Sequence, residues 1–137
     1  MSQSNVTRVG AIECREGLAI ENRSVSTITT AGAATYTAAQ LLGGLILRDP
    51  AGAGRSDVLP DAADIIAALN NPTTGASFEF TIRNTADANE TITVTDDDSN
   101  LTLSGTMTIA QNHSKRFLFV VDTPTTATVY SLGTIVH

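Results

Sequence analysis

The stretch Ser77-Phe78-Glu79-Phe80-Thr81-Ile82-Arg83 decides the fold class. Phe78, Phe80 and Ile82 alternate with Glu79, Thr81 and Arg83, and a repeat of two places successive side chains on opposite faces of a strand, one face apolar and the other polar. The same texture continues towards the C-terminus. Ile92 and Val94 alternate with Thr91, Thr93 and Thr95, and residues 96–100 turn the chain. Leu101, Leu103, Met107 and Ile109 share one face, with Gly105 between them marking a bend or bulge. Residues 117–121, Phe117-Leu118-Phe119-Val120-Val121, are apolar on both faces, which requires either a central strand or a partner subunit against one face. Residues 127–137 form the last strand. Strands at this spacing, joined by short polar turns, predict a mainly β fold: an antiparallel sandwich or barrel of jelly-roll-like type.

Towards the N-terminus the pattern changes. Thr37 is placed to cap a short helix over residues 38–42, which Gly43-Gly44 ends. Leu45-Ile46-Leu47 follows as a strand, and Pro50 and Gly52 suit a turn. Pro60 fits the first position of a second helix, Asp61 and Asp64 favour its first turn, and Asn71-Pro72 stops it. Ala62, Ile65, Ile66 and Leu69 form its apolar face, which should lie across a sheet. Residues 1–35 are polar and short of aromatics. They read as an extended N-terminal arm ordered on assembly, or else they contribute a strand, through the alternation at residues 25–29, to the same domain. The organisation is therefore an arm over 1–35 and a β-rich domain over 36–137, with one or two short helices.

Composition limits the function. Charged residues make up 16% of the 137 residues, against a usual share of about 25%, and lysine occurs once, at Lys115. Outward strand positions are largely threonine. A surface poor in Lys and Glu expects cover by another protein, and long uncharged strand edges invite pairing. Residues 132–137 stay apolar and need cover too. A net charge of −6 with no basic stripe argues against non-specific nucleic-acid binding, and no nucleic-acid partner is expected. No apolar run approaches the roughly 18 residues that span a bilayer, and the first residues lack the features of a signal peptide. The expectation is synthesis in a cytoplasm and no membrane partner.

Candidate chemistry is sparse. Asp96-Asp97-Asp98 lacks the spacing of a calcium loop and reads as a wet turn. Cys14, His113 and His137 fit neither a nucleophile–base motif nor zinc-ligand spacing. The glycines at 43–44 and 52–54 lack a phosphate-loop pattern. No enzyme and no cofactor are expected. Arg48, Asp49, Arg55 and Asp57 are alternating charges in a charge-poor chain, and they read either as a loop-fixing network or as intersubunit ion pairs. Phe117, Phe119, Val121, Tyr130, Leu132 and Ile135 are the candidate oligomer interface, supplied by the two-faced strand and the last strand.

The run Tyr36-Thr37-Ala38-Ala39-Gln40-Leu41-Leu42-Gly43-Gly44-Leu45-Ile46-Leu47-Arg48-Asp49-Pro50-Ala51-Gly52, then Asp57-Val58-Leu59-Pro60, resembles a segment of small virion proteins of tailed phages. Residues 77–84, 105–110 and 129–133 continue the resemblance, which covers roughly residues 36–137. The family resembled is that of capsid decoration, or cement, proteins and related head or tail appendage modules. It implies a β-rich domain that forms homo-oligomers, often trimers, and binds the major capsid protein on the outer head surface between capsomers; it brings no catalytic residues. The expected location is the virion. The rival expectation is a head- or tail-fibre module that recognises a host receptor or glycan, for which Tyr36 and Tyr130 are the aromatics available to stack on sugars.

Overall fold

The computed structural model describes the backbone of residues 6–9, 12–15 and 18–137, and side chains from residue 22 onward. Strands β1 (Val6–Val9), β2 (Ile12–Arg15) and β3 (Leu18–Glu21) pair with one another in a three-stranded antiparallel sheet. The remainder is a sandwich-like β fold, as the alternating stretches predict. One layer is a six-stranded sheet built from β4 (Ser24–Ile28), β5 (Gly44–Arg48), β7 (Ser77–Asn84), β9 (Leu101–Ser104), β11 (His113–Val121) and β12 (Ala127–Val136). Its spatial order is β4-β5-β7-β11-β12-β9. The other layer holds β6 (Arg55–Val58), β8 (Ile92–Thr95) and β10 (Thr108–Ile109), in the order β10-β8-β6.

The pairing is mixed, not purely antiparallel. β4–β5, β5–β7, β6–β8 and β12–β9 are parallel, whereas β7–β11, β11–β12 and β8–β10 are antiparallel. The reason lies in the connections. The chain leaves β5 for β6 in the facing layer, returns to β7, and crosses again to β8. A strand reached by crossing over and back runs in the direction of the one it left. Short polar linkers that look like hairpin turns in the sequence are crossings between layers. Gly105, at φ +100, turns the chain out of β9, and the apolar face read as one strand over residues 101–109 is divided between β9 in one layer and β10 in the other.

The core lies between the layers. Ile46, Phe80, Ile82, Phe117, Phe119, Val121 and Val129 from the large sheet meet Ile92, Val94 and Ile109 from the small one, and all are buried. Phe80 stacks on Phe117 at a centroid distance of 5.1 Å, and Phe78 on Phe119 at 5.2 Å. These offset aromatic pairs add about 0.5–1.5 kcal/mol each beyond the area they bury. Helix α1 (Ala38–Gly43) has the expected cap: Thr37 and Gln40 form a capping box, and Gly44 closes the helix in the left-handed region at φ 90. Its Leu41 is fully buried. Helix α2 (Ala62–Ala68) starts two residues later than Pro60 implies, with Asp61 as N-cap. It ends before Asn71-Pro72 because Asn70 and Asn71 both take positive φ. Ala62 and Ile65 are buried and Ile66 and Leu69 pack against the core, so the apolar face is as expected.

Of the two expectations for residues 1–35, a strand through the alternation at residues 25–29 is present in the sheet. Val25 and its neighbours form β4, an edge strand of the six-stranded sheet. Residues 34–36 lie beside β6, where Val58 N–H donates to Ala34 O at 2.8 Å and Tyr36 N–H to Val58 O at 2.9 Å. The sandwich therefore begins near Ser24. Before it come β1–β3, and the rest of the expected arm, residues 1–5, 10–11 and 16–17, lies outside the described residues.

Candidate functional site: a buried lock and an exposed strand

Arg48 ends β5 and Asp57 lies in β6, so the two cross the layers to meet inside. Both are fully buried, and Arg48 Nε donates to Asp57 Oδ2 at 2.8 Å. Arg48 Nη2 donates to Asp57 Oδ1 at 3.3 Å and to Gly32 O at 2.6 Å, and Nη1 donates to Thr30 O at 3.0 Å and Asp49 O at 2.6 Å. Every N–H of the guanidinium is used. Asp57 also accepts from Tyr36 Oη at 2.7 Å and from Ala34 N–H at 2.8 Å. Burying a charge pair is costly unless the remaining donors and acceptors are satisfied, and here they are. Burial, followed by the bond to Asp57, raises the Tyr36 hydroxyl well above its ordinary pKa, so it stays a donor. Burial alone would lower the Arg48 pKa, but the bond and charge of Asp57 raise it on balance.

The four charges read together in the sequence are thus split. Arg48 and Asp57 form the loop-fixing network, and neither can reach another subunit. Asp49 shapes its own turn by accepting from Ala51 N–H at 2.9 Å. Arg55 does not join them: its Nε is buried without a hydrogen-bond partner. Tyr36, read as a sugar-stacking aromatic, is 1% exposed and belongs to the same network.

The candidate oligomer interface also divides. Phe117, Phe119 and Val121 fill the chain's own core and offer nothing to a partner. The reason is register: they sit opposite Phe80, Phe78 and their neighbours on β7, on the inward face, while Leu118 and Val120 occupy the half-buried outward face. Tyr130, Leu132 and Ile135 are exposed at 40%, 42% and 61%, with Val136 at 70%. They lie on β12, which pairs with β9 only from Ala127 to Tyr130 and with β11 along its whole length. A register shift between Arg116 and Phe117 leaves Leu132 as the extra residue of a bulge. Beyond it, residues 133–136 continue beside residues 113–116. His137 fastens the end of this ribbon, with its N–H on Asn112 O and its Nε2 against Ser114 Oγ, both at 2.7 Å.

On the outward face of the large sheet, Leu45, Leu47, Leu118 and Val120 are half-buried and Val25 is 56% exposed. The charged pair on that face, Arg116–Glu79, is solvent-exposed at 3.7 Å and contributes little. The sequence patterning located β12, but which side of residues 117–121 faces the core could be read only from the register.

The triple aspartate is a structural turn. Asp98 accepts from Ala62 N–H at 2.8 Å and Asn100 N–H at 3.0 Å, so it caps α2 from a distant loop. These bonds, Asn100 first, lower its pKa. Desolvation and then the charges of Asp98 and Asp97 raise Asp61 and Asp96, with Asp64 adding to the effect on Asp61. A cleft of about 580 Å³ opens beside them, lined by Tyr36, Thr37, Leu59, Pro60, Asp61 and Asp64 among others. Among the described residues no group of three or more His, Cys, Asp or Glu is arranged to hold a metal ion. No protein-family model, curated protein or solved structure matches this chain.

Proposed function

We propose that the chain is a virion structural protein of the capsid decoration, or cement, type. It acts by binding: a homo-oligomer, a trimer, docks on the major capsid protein at the outer surface of a phage head and ties neighbouring capsomers together. The observation that carries this reading is the placement of apolar and charged groups. Arg48 and Asp57 are sealed inside, whereas Tyr130, Leu132, Ile135 and Val136 stand exposed on one strand. Exposed large apolar side chains gathered on one strand in this way are what an interaction site supplies. The resemblance over residues 36–137 supplies the capsid as the partner. The fibre reading has less support, since one of its two tyrosines is buried.

Co-sedimentation of the full chain with expanded phage head shells tests the proposal. Saturable binding at a fixed number of copies per capsomer is expected, with the shells becoming more resistant to heat. Absence of binding to shells overturns it, and a reproducible hit on a glycan array would favour the fibre reading.

A further inference from the structure

The six-stranded sheet has two open edges, and they resemble each other. One is β4, which pairs with β5 on a single side. The other is β12 beyond the bulge, left open because β9 ends at Ser104. Gly105 makes the departure possible: it takes φ +100 and passes so close to β12 that a Cβ there would lie 3.1 Å from Ser131 Cβ. On both strands the outer main-chain groups have no ladder partner among the described residues.

Natural sheets protect such edges with charge or proline. Ser24-Val25-Ser26-Thr27-Ile28 and Gly133-Thr134-Ile135-Val136 contain neither. Five of the 14 acidic residues cluster elsewhere, at the start of α2 (Asp61, Asp64) and in the β8–β9 linker (Asp96, Asp97, Asp98). The two edges also share a direction. β4, β5 and β7 are parallel, and two antiparallel steps, β7 to β11 and β11 to β12, restore that direction in β12. A second copy set beside the first therefore presents a β4 edge that can accept β12 without either strand reversing.

We propose that β4 of one copy pairs in parallel with residues 133–136 of β12 of the next, so that the sheet continues from chain to chain. The occupant of the open edge is a second copy of this chain. The pairing is head-to-tail, since each copy uses both edges, and such an interface closes into a ring when its rotation permits. Ile135 and Val25, both largely exposed in the single chain, come together across the boundary. This deepens the self-association in the proposed function and is independent of capsid docking.

Cysteine pairing tests it. In full-length chains carrying Cys14→Ser, one preparation bears Val25→Cys and another Ile135→Cys. Mild oxidation of the mixture is expected to give a disulfide-linked heterodimer several-fold above the homodimer from either preparation alone. Self-crosslinking of the Ile135→Cys chain as efficient as the mixed reaction overturns the head-to-tail pairing. So does a mixture that stays uncrosslinked while circular dichroism shows both chains folded. Native mass of the unmodified chain gives a second readout: an oligomer is expected, reduced to monomer by Ile135→Lys and by Val25→Lys, and a monomer at every concentration overturns the proposal. A chain that pairs in this way yet ignores head shells removes the capsid reading and leaves the pairing intact; one that binds shells as a monomer does the reverse.

Discussion

The Arg48–Asp57 network and the far end of β12 invert the usual distribution of residue types. In the first, two full charges are buried at 0% exposure, and the donors of Arg48 and both carboxylate oxygens of Asp57 are matched. In the second, Ile135 and Val136 are more than half exposed on a strand with one open side. The network joins parts of one chain: it holds residues 30–36 against β5 and β6 and has no capacity left for another partner. The end of β12 has the opposite character, with main-chain and apolar capacity that the described residues of its own chain do not use. Surface charge, the ordinary guide to where a protein meets others, is therefore misleading here. The most prominent ion pair in the sequence is internal, and the uncharged strand is the one available for contact.

The largest effect should come from breaking the internal side of this contrast. Asp57→Ala leaves the Arg48 charge buried without its counter-ion and removes the acceptor of Tyr36 and Ala34, so a loss of about 3–5 kcal/mol is expected in urea denaturation. Replacing both partners, Arg48→Met with Asp57→Leu, often rescues a buried ion pair elsewhere. Here it should remain destabilising, because Thr30, Gly32 and Asp49 would each lose a donor to a carbonyl. Recovery of full stability in the double variant would show that the network holds the loop only weakly. Tyr36→Phe is the milder test. It leaves one buried acceptor position on Asp57 unfilled, for an expected cost of about 1–3 kcal/mol.

The exposed side should behave differently. Ile135→Ser changes a residue that is 61% exposed, and surface substitutions of this kind usually stay within about ±0.5 kcal/mol. Its effect should appear in native mass, not in the denaturation midpoint of the monomer. A large loss of monomer stability would mean that the end of β12 belongs to the fold and is not spare surface.

What the sequence makes legible follows from how local each signal is. Thr37, Gln40 and Gly44 cap a helix through bonds within a few residues, and the period-2 alternation of residues 77–83 reports which face is buried. The layer crossings leave no comparable mark. A polar linker such as residues 96–100 looks the same whether it closes a hairpin or spans the sandwich, and the parallel pairings depend on that difference. The sequence leaves residues 25–29 open between arm and strand for a related reason: they have too little apolar area to show on their own that β5 accepts them. The same applies to the interface. Alternation shows that residues 117–121 are apolar on both sides, but only pairing with β7 decides that Phe117 and Phe119 face inward. Arg48 and Asp57 were singled out as a group, yet their partnership across nine residues depends on two strands in different layers.

The smallest expected effect concerns the aspartate turn, where pairing and repulsion act together. Asp98, with its pKa lowered by backbone N–H groups, stabilises the fold above the unfolded carboxylate pKa, and that contribution is lost as pH falls through its folded value. Asp61 and Asp96 have raised pKa values, so their charged forms oppose folding near neutrality and the penalty is relieved as they protonate. Asp97 carries charge that acts on both. Asp97→Asn should therefore raise the melting temperature slightly at pH 7, and the gain should shrink in high salt. At about pH 3, below the usual carboxylate range, it should vanish. Asp98→Asn should lower the melting temperature at neutral pH and converge on the parent chain in acid, because its carboxylate acts only while charged. An Asp97→Asn gain that persists unchanged in acid would show that side-chain packing, not repulsion, sets the strain in this turn.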